Sequence, residues 1–122
     1  MRSARILAVD DEPANVEILA RYLASKGHVV TGAGDGEQAL AAMKERSFDL
    51  VLLDLVLPGR TGLEIMAEIL SLTRAPVVAM SGQSDDDTRH DAMLLGATGF
   101  LPKPLDLTAL CALIDALPES DA

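Results

Sequence analysis

The sequence of 122 residues has a single cysteine, Cys111, and very few aromatic residues. One cysteine excludes an internal disulfide, which is typical of proteins from a reducing compartment. Aromatics make up 2% of the residues and apolar residues 49%, so any core must be aliphatic. This length suits one domain with a core of its own. We therefore expect a single domain over residues 1–122, in which residues 118–122 form a short polar tail.

Basic residues and long apolar runs are also scarce. Ten Lys and Arg against nineteen Asp and Glu give a formal net charge of −9. Binding to the phosphate backbone of a nucleic acid requires a basic surface, so we expect this domain not to bind nucleic acid. No apolar stretch approaches the roughly 20 residues of a membrane-spanning helix, and carboxylates interrupt the short apolar run near the N-terminus. The composition thus predicts a cytoplasmic protein with no membrane partner.

The sequence does contain five short apolar runs that are typical of β-strands. In the central run, Asp49–Asp54, Val51 to Leu53 are consecutive apolar residues without alternation. Such a pattern is typical of a parallel strand that is buried on both faces. The other predicted strands are Arg5–Val9, His28–Thr31, Pro76–Met80 and Thr98–Leu101.

Helical patterns alternate with these strands. Pro13 marks the first helix start, where its missing N–H costs little, and Gly27 marks the end of that helix. The fourth helix is predicted over Asp85–Leu95. The other expected apolar stripes are Val16, Leu19, Ala20, Leu23 and Ala24; Ala39, Leu40 and Met43; Leu63, Met66, Ala67 and Leu70; and Leu107, Leu110, Cys111, Ile114 and Leu117. The alternation predicts an α/β fold whose parallel sheet carries helices on both faces, but it leaves the strand order open.

Polar residues follow the apolar runs at four of the five strand ends. Asp10 and Asp11 follow the first strand, Asp54 ends the third, Ser81 follows the fourth, and Lys103 comes shortly after the fifth. These ends share one edge of a parallel sheet, where ligands bind. Converging carboxylates repel one another, so a cation is expected among them, and Mg²⁺ leaves room for a phosphate. Together with an ammonium and a hydroxyl, these groups suit phosphoryl transfer.

Four motifs make the chain resemble the receiver domains of two-component response regulators, and the single-domain chemotaxis receiver in particular. They are VDD at Val9–Asp11, DLVLPGRTG at Asp54–Gly62, MSG at Met80–Gly82 and GFLPKP at Gly99–Pro104. The resemblance covers essentially the whole chain in order; Leu57, where methionine is commoner, is a conservative departure. The resemblance implies a flavodoxin-like, doubly wound sheet of five parallel strands in the order 2-1-3-4-5, with five helices.

The resemblance also implies a role for each matching residue. Asp54 would be the phosphoacceptor, attacking the phosphorus of a phosphohistidine on a sensor histidine kinase or histidine phosphotransfer protein. Asp11 would bind Mg²⁺ (or Mn²⁺) directly and Asp10 through a metal-bound water. Asp54 and the backbone carbonyl of Val56 would complete the protein ligands. Lys103 would pair with the phosphoryl group.

A conformational switch is part of what the resemblance implies. The Ser81 hydroxyl would move toward the aspartyl phosphate, and Phe100 would turn inward in response. The surface of helix four, strand five and helix five would then signal to an unidentified downstream protein. The peptide bond between Lys103 and Pro104 is expected to be cis, which is inexpensive only before proline.

Two further residues, Val56 and Gln83, occupy positions that flank the phosphoryl group in the family that the chain resembles. Gln83 can hydrogen-bond the water that attacks the phosphoryl group, whereas the side chain of Val56 cannot. We therefore expect Val56 to slow hydrolysis of the phosphorylated form relative to a polar residue at the same position.

Several of these residues also have simpler interpretations. Asp11 could cap the first helix, Ser81 could belong to a plain turn, and Lys103 could be a solvated surface lysine. The joint occurrence of all of them at the predicted strand ends favours a functional site. His28 and His90 have no neighbouring Cys or His at metal-ligand spacing and are predicted to lie at the surface or a sheet edge.

The functional alternatives fit the sequence less well. We expect self-catalysed phosphorylation and dephosphorylation only, rather than an enzyme that turns over a substrate. An aspartyl-nucleophile phosphohydrolase would have a second aspartate at the position of Val56. A flavin electron carrier would need aromatic residues to stack on the flavin ring. It would also need a hydroxyl-rich phosphate-binding loop where this chain has Asp10 and Asp11. A degenerate scaffold would lack some of the phosphorylation residues. The chain is either a stand-alone receiver or a fragment of a larger response regulator or hybrid kinase.

Overall fold

The computed structural model describes residues 3–82 and 86–117, in which five strands alternate with five helices. The strands are β1 Arg5–Val9, β2 Val29–Ala33, β3 Leu50–Asp54, β4 Val77–Ser81 and β5 Gly99–Pro102. The helices are α1 Pro13–Ala24, α2 Gly36–Glu45, α3 Gly62–Leu72, α4 Asp86–Leu94 and α5 Leu107–Asp115. Strand ends differ from the predicted ones by at most two residues, because pairing as well as apolarity sets where a strand stops. The predicted tail and Asp85 lie outside the described residues.

All strand pairs are parallel, and the order across the sheet is β2-β1-β3-β4-β5. The predicted flavodoxin-like sheet is therefore confirmed. The central strand β3 pairs with β1 on one side and β4 on the other, with Leu53 beside Val9 and Asp54 beside Met80. None of the described helices is both long and apolar enough to cross a membrane.

Helices cover the two faces of the sheet with separate aliphatic cores. On one face, Val51 and Leu53 of β3 pack with buried residues of α2, α3 and α4. On the other face, Leu50 and Leu52 pack with buried residues of α1 and α5. Successive side chains of a strand point to opposite faces, so burial on both sides requires the uninterrupted apolar run that the sequence shows.

The apolar stripe predicted for α3 is correct for Met66 and for Leu63, which packs against the core, but it is wrong for its other two residues. The structure buries Ile65, Met66 and Ile69, whereas Ala67 and Leu70 are exposed. Apolar residues occupy more than one face of this helix, so periodicity alone does not select the buried face. Packing against the sheet makes that selection, and it favours the face that carries both isoleucines.

His28 was predicted to lie at the surface or at a sheet edge. It does precede the edge strand β2, but it is not a surface residue, since its side chain is buried. Its Nδ1 accepts a hydrogen bond of 3.0 Å from the backbone N–H of Ala4. The carbonyl of Ala4 accepts from the N–H of Val29 at 3.0 Å, so the imidazole continues the pairing of β1 with β2. His90, by contrast, is exposed on α4 as predicted.

We expect His28→Leu to lower the free energy of unfolding by about 1–3 kcal/mol. Leucine keeps much of the buried volume but leaves the N–H of Ala4 without its acceptor, and an unsatisfied buried donor costs that much. Urea unfolding measures the change. His90→Leu is the matched control and should shift stability by less than about 0.5 kcal/mol. Equal losses in the two variants would show that the bond to Ala4 contributes nothing.

Candidate functional site

The carboxyl ends of the central strands bring three buried polar residues to one edge of the sheet. Asp54 is the last residue of β3, Ser81 is the last of β4, and Asp10 directly follows β1. Their exposed fractions are only 4%, 1% and 2%. Lys103 follows β5, and its backbone N–H donates to the carbonyl of Ser81 at 2.9 Å, which places its side chain beside the same edge.

The ammonium group of Lys103 lies between two buried carboxylates. Its Nζ is 2.6 Å from Oδ2 of Asp54 and 2.9 Å from Oδ2 of Asp10. Strand β5 is not adjacent to β1 or β3, so the long side chain reaches across the end of β4. Two carboxylates in such proximity repel each other unless a cation lies between them. Lys103 supplies that cation.

Backbone N–H groups fix the orientation of both carboxylates. Oδ1 of Asp54 accepts from the N–H of Val56 at 2.9 Å, and Oδ1 of Asp10 accepts from the N–H of Glu12 at 2.9 Å. In each case an aspartate bonds the backbone two residues later, as in an Asx turn. The side-chain amide of Asn15 adds a longer contact of 3.5 Å to Oδ2 of Asp10. The chain thus holds these two side chains in place by local turns as well as by Lys103.

Asp11 is exposed and belongs to an acidic cluster. Carboxylate oxygens of Asp10, Asp11 and Glu12 all lie within 4.8 Å of one another. Oxygen donors of this kind are those that Mg²⁺ prefers, so the donor set fits a divalent cation. Glu12 is not among the predicted site residues, although the run of three acids after β1 is a signal for it. Asp11 is not the cap of α1, because the N-cap residue is Glu12, whose side chain makes no capping bond.

The loop between β3 and α3 folds back tightly onto the end of β3. The N–H of Gly62 donates to the carbonyl of Leu55 at 3.1 Å, and Thr61 and Glu64 form a capping box that starts α3. A Cβ atom on Gly62 would lie 2.5 Å from the carbonyl oxygen of Asp54 and 2.8 Å from Cα of Leu55. Helix α3 therefore begins directly against the backbone of Asp54.

Arg60 connects the loop between β3 and α3 to helices α2 and α3 through ion pairs. Its guanidinium forms ion pairs with Glu68 of α3 and, at 3.5 Å, with Glu37 of α2. The hydrogen bond to Glu68 is the main cause that raises the pKa of Arg60. Sequence reasoning overlooked this residue, and no local pattern indicates it, because Glu37 lies 23 residues away in the chain.

The remaining predicted residues are placed as follows. Val56 is 62% exposed beside Asp54, and Phe100 is half-buried and packs against the core beneath α2, α3 and α4. The peptide bond between Lys103 and Pro104 is cis. Gln83 lies outside the described residues. The roles of these residues in signalling stay predictions.

The two carboxylates affect the protonation of Lys103. Burial lowers its pKa, but the hydrogen bonds and charges of Asp54 and Asp10 together outweigh burial and raise the pKa above the ordinary value of 10.5. A group whose pKa is raised on folding stabilises the folded state below its unfolded-state pKa. That contribution is lost as the pH rises through the folded-state pKa.

We therefore expect the free energy of unfolding to fall as the pH rises above about 10.5, and to fall less in Lys103→Met. The variant has no ammonium to deprotonate between the carboxylates. Urea unfolding at pH values on both sides of this pKa measures the difference. Lys44→Met removes an exposed lysine and should keep the alkaline loss of the wild type. The same loss in Lys103→Met would contradict the expectation.

The sheet order and the edge where a lysine bridges two buried aspartates define a doubly wound α/β domain with an acidic site at the carboxyl ends of its strands. Comparison with protein families then identifies it. The family model for the response regulator receiver domain matches residues 6–115. The chain belongs to this family and is a receiver domain of the two-component response regulators. Membership favours this class over the flavin carrier and the phosphohydrolase.

Individual relatives agree with this assignment. The chain is 39% identical over 115 residues to the transcriptional activator protein PfeR of Pseudomonas aeruginosa, covering 94% of this chain but 38% of that protein. A two-component response regulator from Clostridium difficile superposes with a TM-score of 0.89 at 28% identity, covering 92% and 93% of the two chains. A response regulator from Burkholderia pseudomallei, solved with a phosphorylated aspartic acid, calcium ion and citrate, gives 0.84 at 28% identity, with coverage of 88% and 64%. The chain thus spans well under half of PfeR.

Proposed function

We propose that this receiver domain is a phosphoacceptor switch and that Asp54 receives the phosphoryl group. The observation that carries the proposal is the position of Asp54, buried at the end of β3 with Oδ2 2.6 Å from the ammonium of Lys103. Nearby cationic charge is what phosphoryl transfer needs around its acceptor. The phosphorylated aspartic acid in the similar Burkholderia pseudomallei protein supports the same chemistry.

Each residue of the site has a separate role in phosphoryl transfer. A carboxylate oxygen of Asp54 attacks the phosphorus of a phosphohistidine, the P–N bond breaks, and the departing imidazole takes up a proton. The N–H of Val56 holds Oδ1 of Asp54 in one orientation, which limits the ways in which the carboxylate can approach phosphorus. Lys103 and the hydroxyl of Ser81 can donate to the phosphoryl oxygens.

The acidic cluster next to Asp54 would hold Mg²⁺ (or Mn²⁺). Asp11 is exposed and would be a direct ligand, whereas Asp10 is already bonded to Lys103 and would act through a water. Asp54 and the carbonyl of Val56 would complete the protein ligands, with Glu12 nearby. A divalent cation bound there would neutralise charge on the phosphoryl oxygens. Among residues 3–82 and 86–117, Lys103 is the residue that provides positive charge between Asp10 and Asp54.

Phosphorylation would alter the contacts of Lys103 and so shift the domain between two conformations. New phosphoryl oxygens compete with Asp10 for the ammonium and attract the hydroxyl of Ser81. Phe100, which follows the first residue of β5, would turn inward and change the surface of α4, β5 and α5. A downstream protein that binds one form better than the other reads the change as a shift in population.

The proposal extends to the partners and setting of the domain. Residues 1–122 act as one receiver domain, and the phosphodonor is a sensor histidine kinase or a histidine phosphotransfer protein. The domain undergoes self-catalysed phosphorylation and dephosphorylation and is not an enzyme with an external substrate. Its acidic surface makes direct binding to nucleic acid unfavourable. We place the domain in the cytoplasm, away from the membrane.

Intact mass after incubation with Mg²⁺ and acetyl phosphate tests the proposal. The wild type should gain one phosphoryl group, and an excess of chelator should prevent the gain because the carboxylates then lack the divalent charge. No gain in Mg²⁺ would contradict the phosphoacceptor function. An equal gain with and without chelator would contradict the metal site alone.

A further inference from the structure

The charged residues of this acidic domain are not evenly distributed. Acids cluster at the carboxyl edge of the sheet, where the site lies. The opposite, amino edge carries a basic groove with a volume of 330 Å³, between the α2–β3 and α3–β4 connections. We call it the lower groove and define it by Lys44, Arg46, Phe48, Leu72 and Arg74.

A second cavity adjoins the lower groove and extends the basic surface. It has a volume of 290 Å³, shares Arg46 and Phe48 with the lower groove, and is also lined by Arg5 and Val29. Four exposed cations therefore line one continuous surface. That surface runs past the amino ends of β2, β1, β3 and β4, a width of roughly 14 Å at the usual spacing of strands.

The cations of the lower groove have no ion-pair partner in the part of the domain that the structure describes. Among residues 3–82 and 86–117, no carboxylate lies within ion-pair distance of Lys44, Arg46 or Arg74. Glu68 is near enough for the charge of Lys44 to contribute to lowering its pKa, but the main partner of that carboxylate is Arg60.

Two other carboxylates lie close to this surface. Glu45 also lines the groove, and the carboxylate of Asp49 accepts a hydrogen bond from the backbone of Arg5. Among the described residues, four cations against these two carboxylates leave a local positive surplus on a chain of net charge −9.

The helix dipole explains only one of these cations. Lys44 lies in the last turn of α2, where positive charge is favoured. Arg46 and Arg74 lie outside the helices, in the connections, and Arg5 begins β1. Helix preferences therefore do not account for three arginines at this edge.

We propose that the lower groove binds a short acidic segment of a partner protein in an extended conformation. Arginine forks match carboxylates with two parallel hydrogen bonds. Met43 and Phe48 form an apolar floor, and Leu72 is 40% exposed at the rim, so an apolar side chain between the acids would be covered. At about 3.3 Å per residue, the surface accommodates three or four residues. A long polyanion would instead extend over the acidic remainder of the domain.

Peptide binding in the lower groove, at the amino edge of the sheet, is separate from phosphorylation of Asp54 at the carboxyl edge. Strands of five residues place the two edges more than about 15 Å apart, beyond the screening length of about 8 Å at physiological ionic strength. The inference therefore does not depend on the proposed function, and the two can fail independently. Arg46→Gln/Arg74→Gln should accept a phosphoryl group as the wild type does.

Fluorescence anisotropy with a labelled peptide tests the proposal directly. The probe is a short peptide with two glutamates separated by one leucine, which fits the length of the surface, and its control carries glutamine for each glutamate. The wild type should bind the glutamate peptide at least about tenfold more tightly, and Arg46→Gln/Arg74→Gln should lose that preference. Added salt should weaken the binding, because exposed charges are screened.

A second pair of arginines provides the matched control. Arg21→Gln/Arg89→Gln removes the same charge from exposed positions on α1 and α4 that do not line the groove. It should bind the glutamate peptide as the wild type does. The proposal is overturned if this control loses as much affinity, if the wild type does not prefer the glutamate peptide, or if inorganic phosphate competes as well as the peptide. Self-association through the groove at low salt, seen by sedimentation, would also overturn it by identifying a second copy as the occupant.

Discussion

Asparagine at position 54 is expected to abolish transfer of the phosphoryl group to this domain. The amide has nearly the shape of the carboxylate and can still accept the N–H bond from Val56, but it lacks the anionic oxygen that attacks phosphorus. Intact mass after incubation with Mg²⁺ and acetyl phosphate should show no gain for Asp54→Asn and a gain of one group for the wild type. The expected effect is a complete loss of phosphorylation.

Asp49→Asn serves as a matched control for this experiment. Asp49 precedes β3 at the opposite edge of the sheet, where its Oδ2 accepts a hydrogen bond from the N–H of Arg5 at 2.8 Å. The same change of charge there should leave phosphorylation intact. A phosphoryl group on Asp54→Asn would locate the acceptor elsewhere, with Asp10 and Asp11 as the nearest candidates, and would contradict the proposed role of Asp54.

Gly62→Ala is expected to lower the free energy of unfolding by about 1–3 kcal/mol, the usual range for overpacking. The added Cβ would meet the backbone of Asp54 and Leu55 at 2.5 and 2.8 Å. Neither backbone atom can rotate away as the end of a side chain can, so α3 or the end of β3 must shift. Helix propensity predicts the opposite sign, since alanine in a helix is favoured over glycine by about 0.5–1 kcal/mol. Urea unfolding therefore distinguishes the two effects by sign.

Gly34→Ala is the appropriate comparison for Gly62→Ala. A Cβ on Gly34 would approach Gln38 at 3.6 Å, which is an ordinary van der Waals contact. Stability should therefore change little in this variant. A stable Gly62→Ala protein would show that α3 can move away from Asp54 without loss, and the close approach of the helix to the site would then have no structural importance.

Much of the fold could be predicted from the sequence because burial on both faces leaves a simple signal. The uninterrupted apolar run of β3 exists because helices cover both sides of the sheet, and the polar residue at its end, Asp54, marks where the strand reaches the sheet edge. The same reasoning located Asp10, Ser81 and Lys103. Periodicity did not determine the order of the strands, which came from the family resemblance.

Contacts between distant parts of the chain could not be predicted in this way. The burial of His28 at the edge of the sheet is one example, because a lone histidine gives no sign of the amide that it accepts from, 24 residues earlier. Ala67 and Leu70 were wrongly predicted to lie on the buried face of α3, because the helix is apolar on more than one side. The ion pairs of Arg60 depend likewise on the folded arrangement.

By itself, the amino-acid sequence determined the alternation of strands and helices, the aliphatic core, and which polar residues end the strands. These features depend on local propensity and on burial, which each segment expresses in its own residues. Only the tertiary structure decided that Lys103 reaches across β4 to hold Asp54 and Asp10 together, that α3 lies against the backbone of Asp54, and that arginines from separate connections share one groove. Such contacts depend on distances between elements far apart in the chain, and no single segment encodes them.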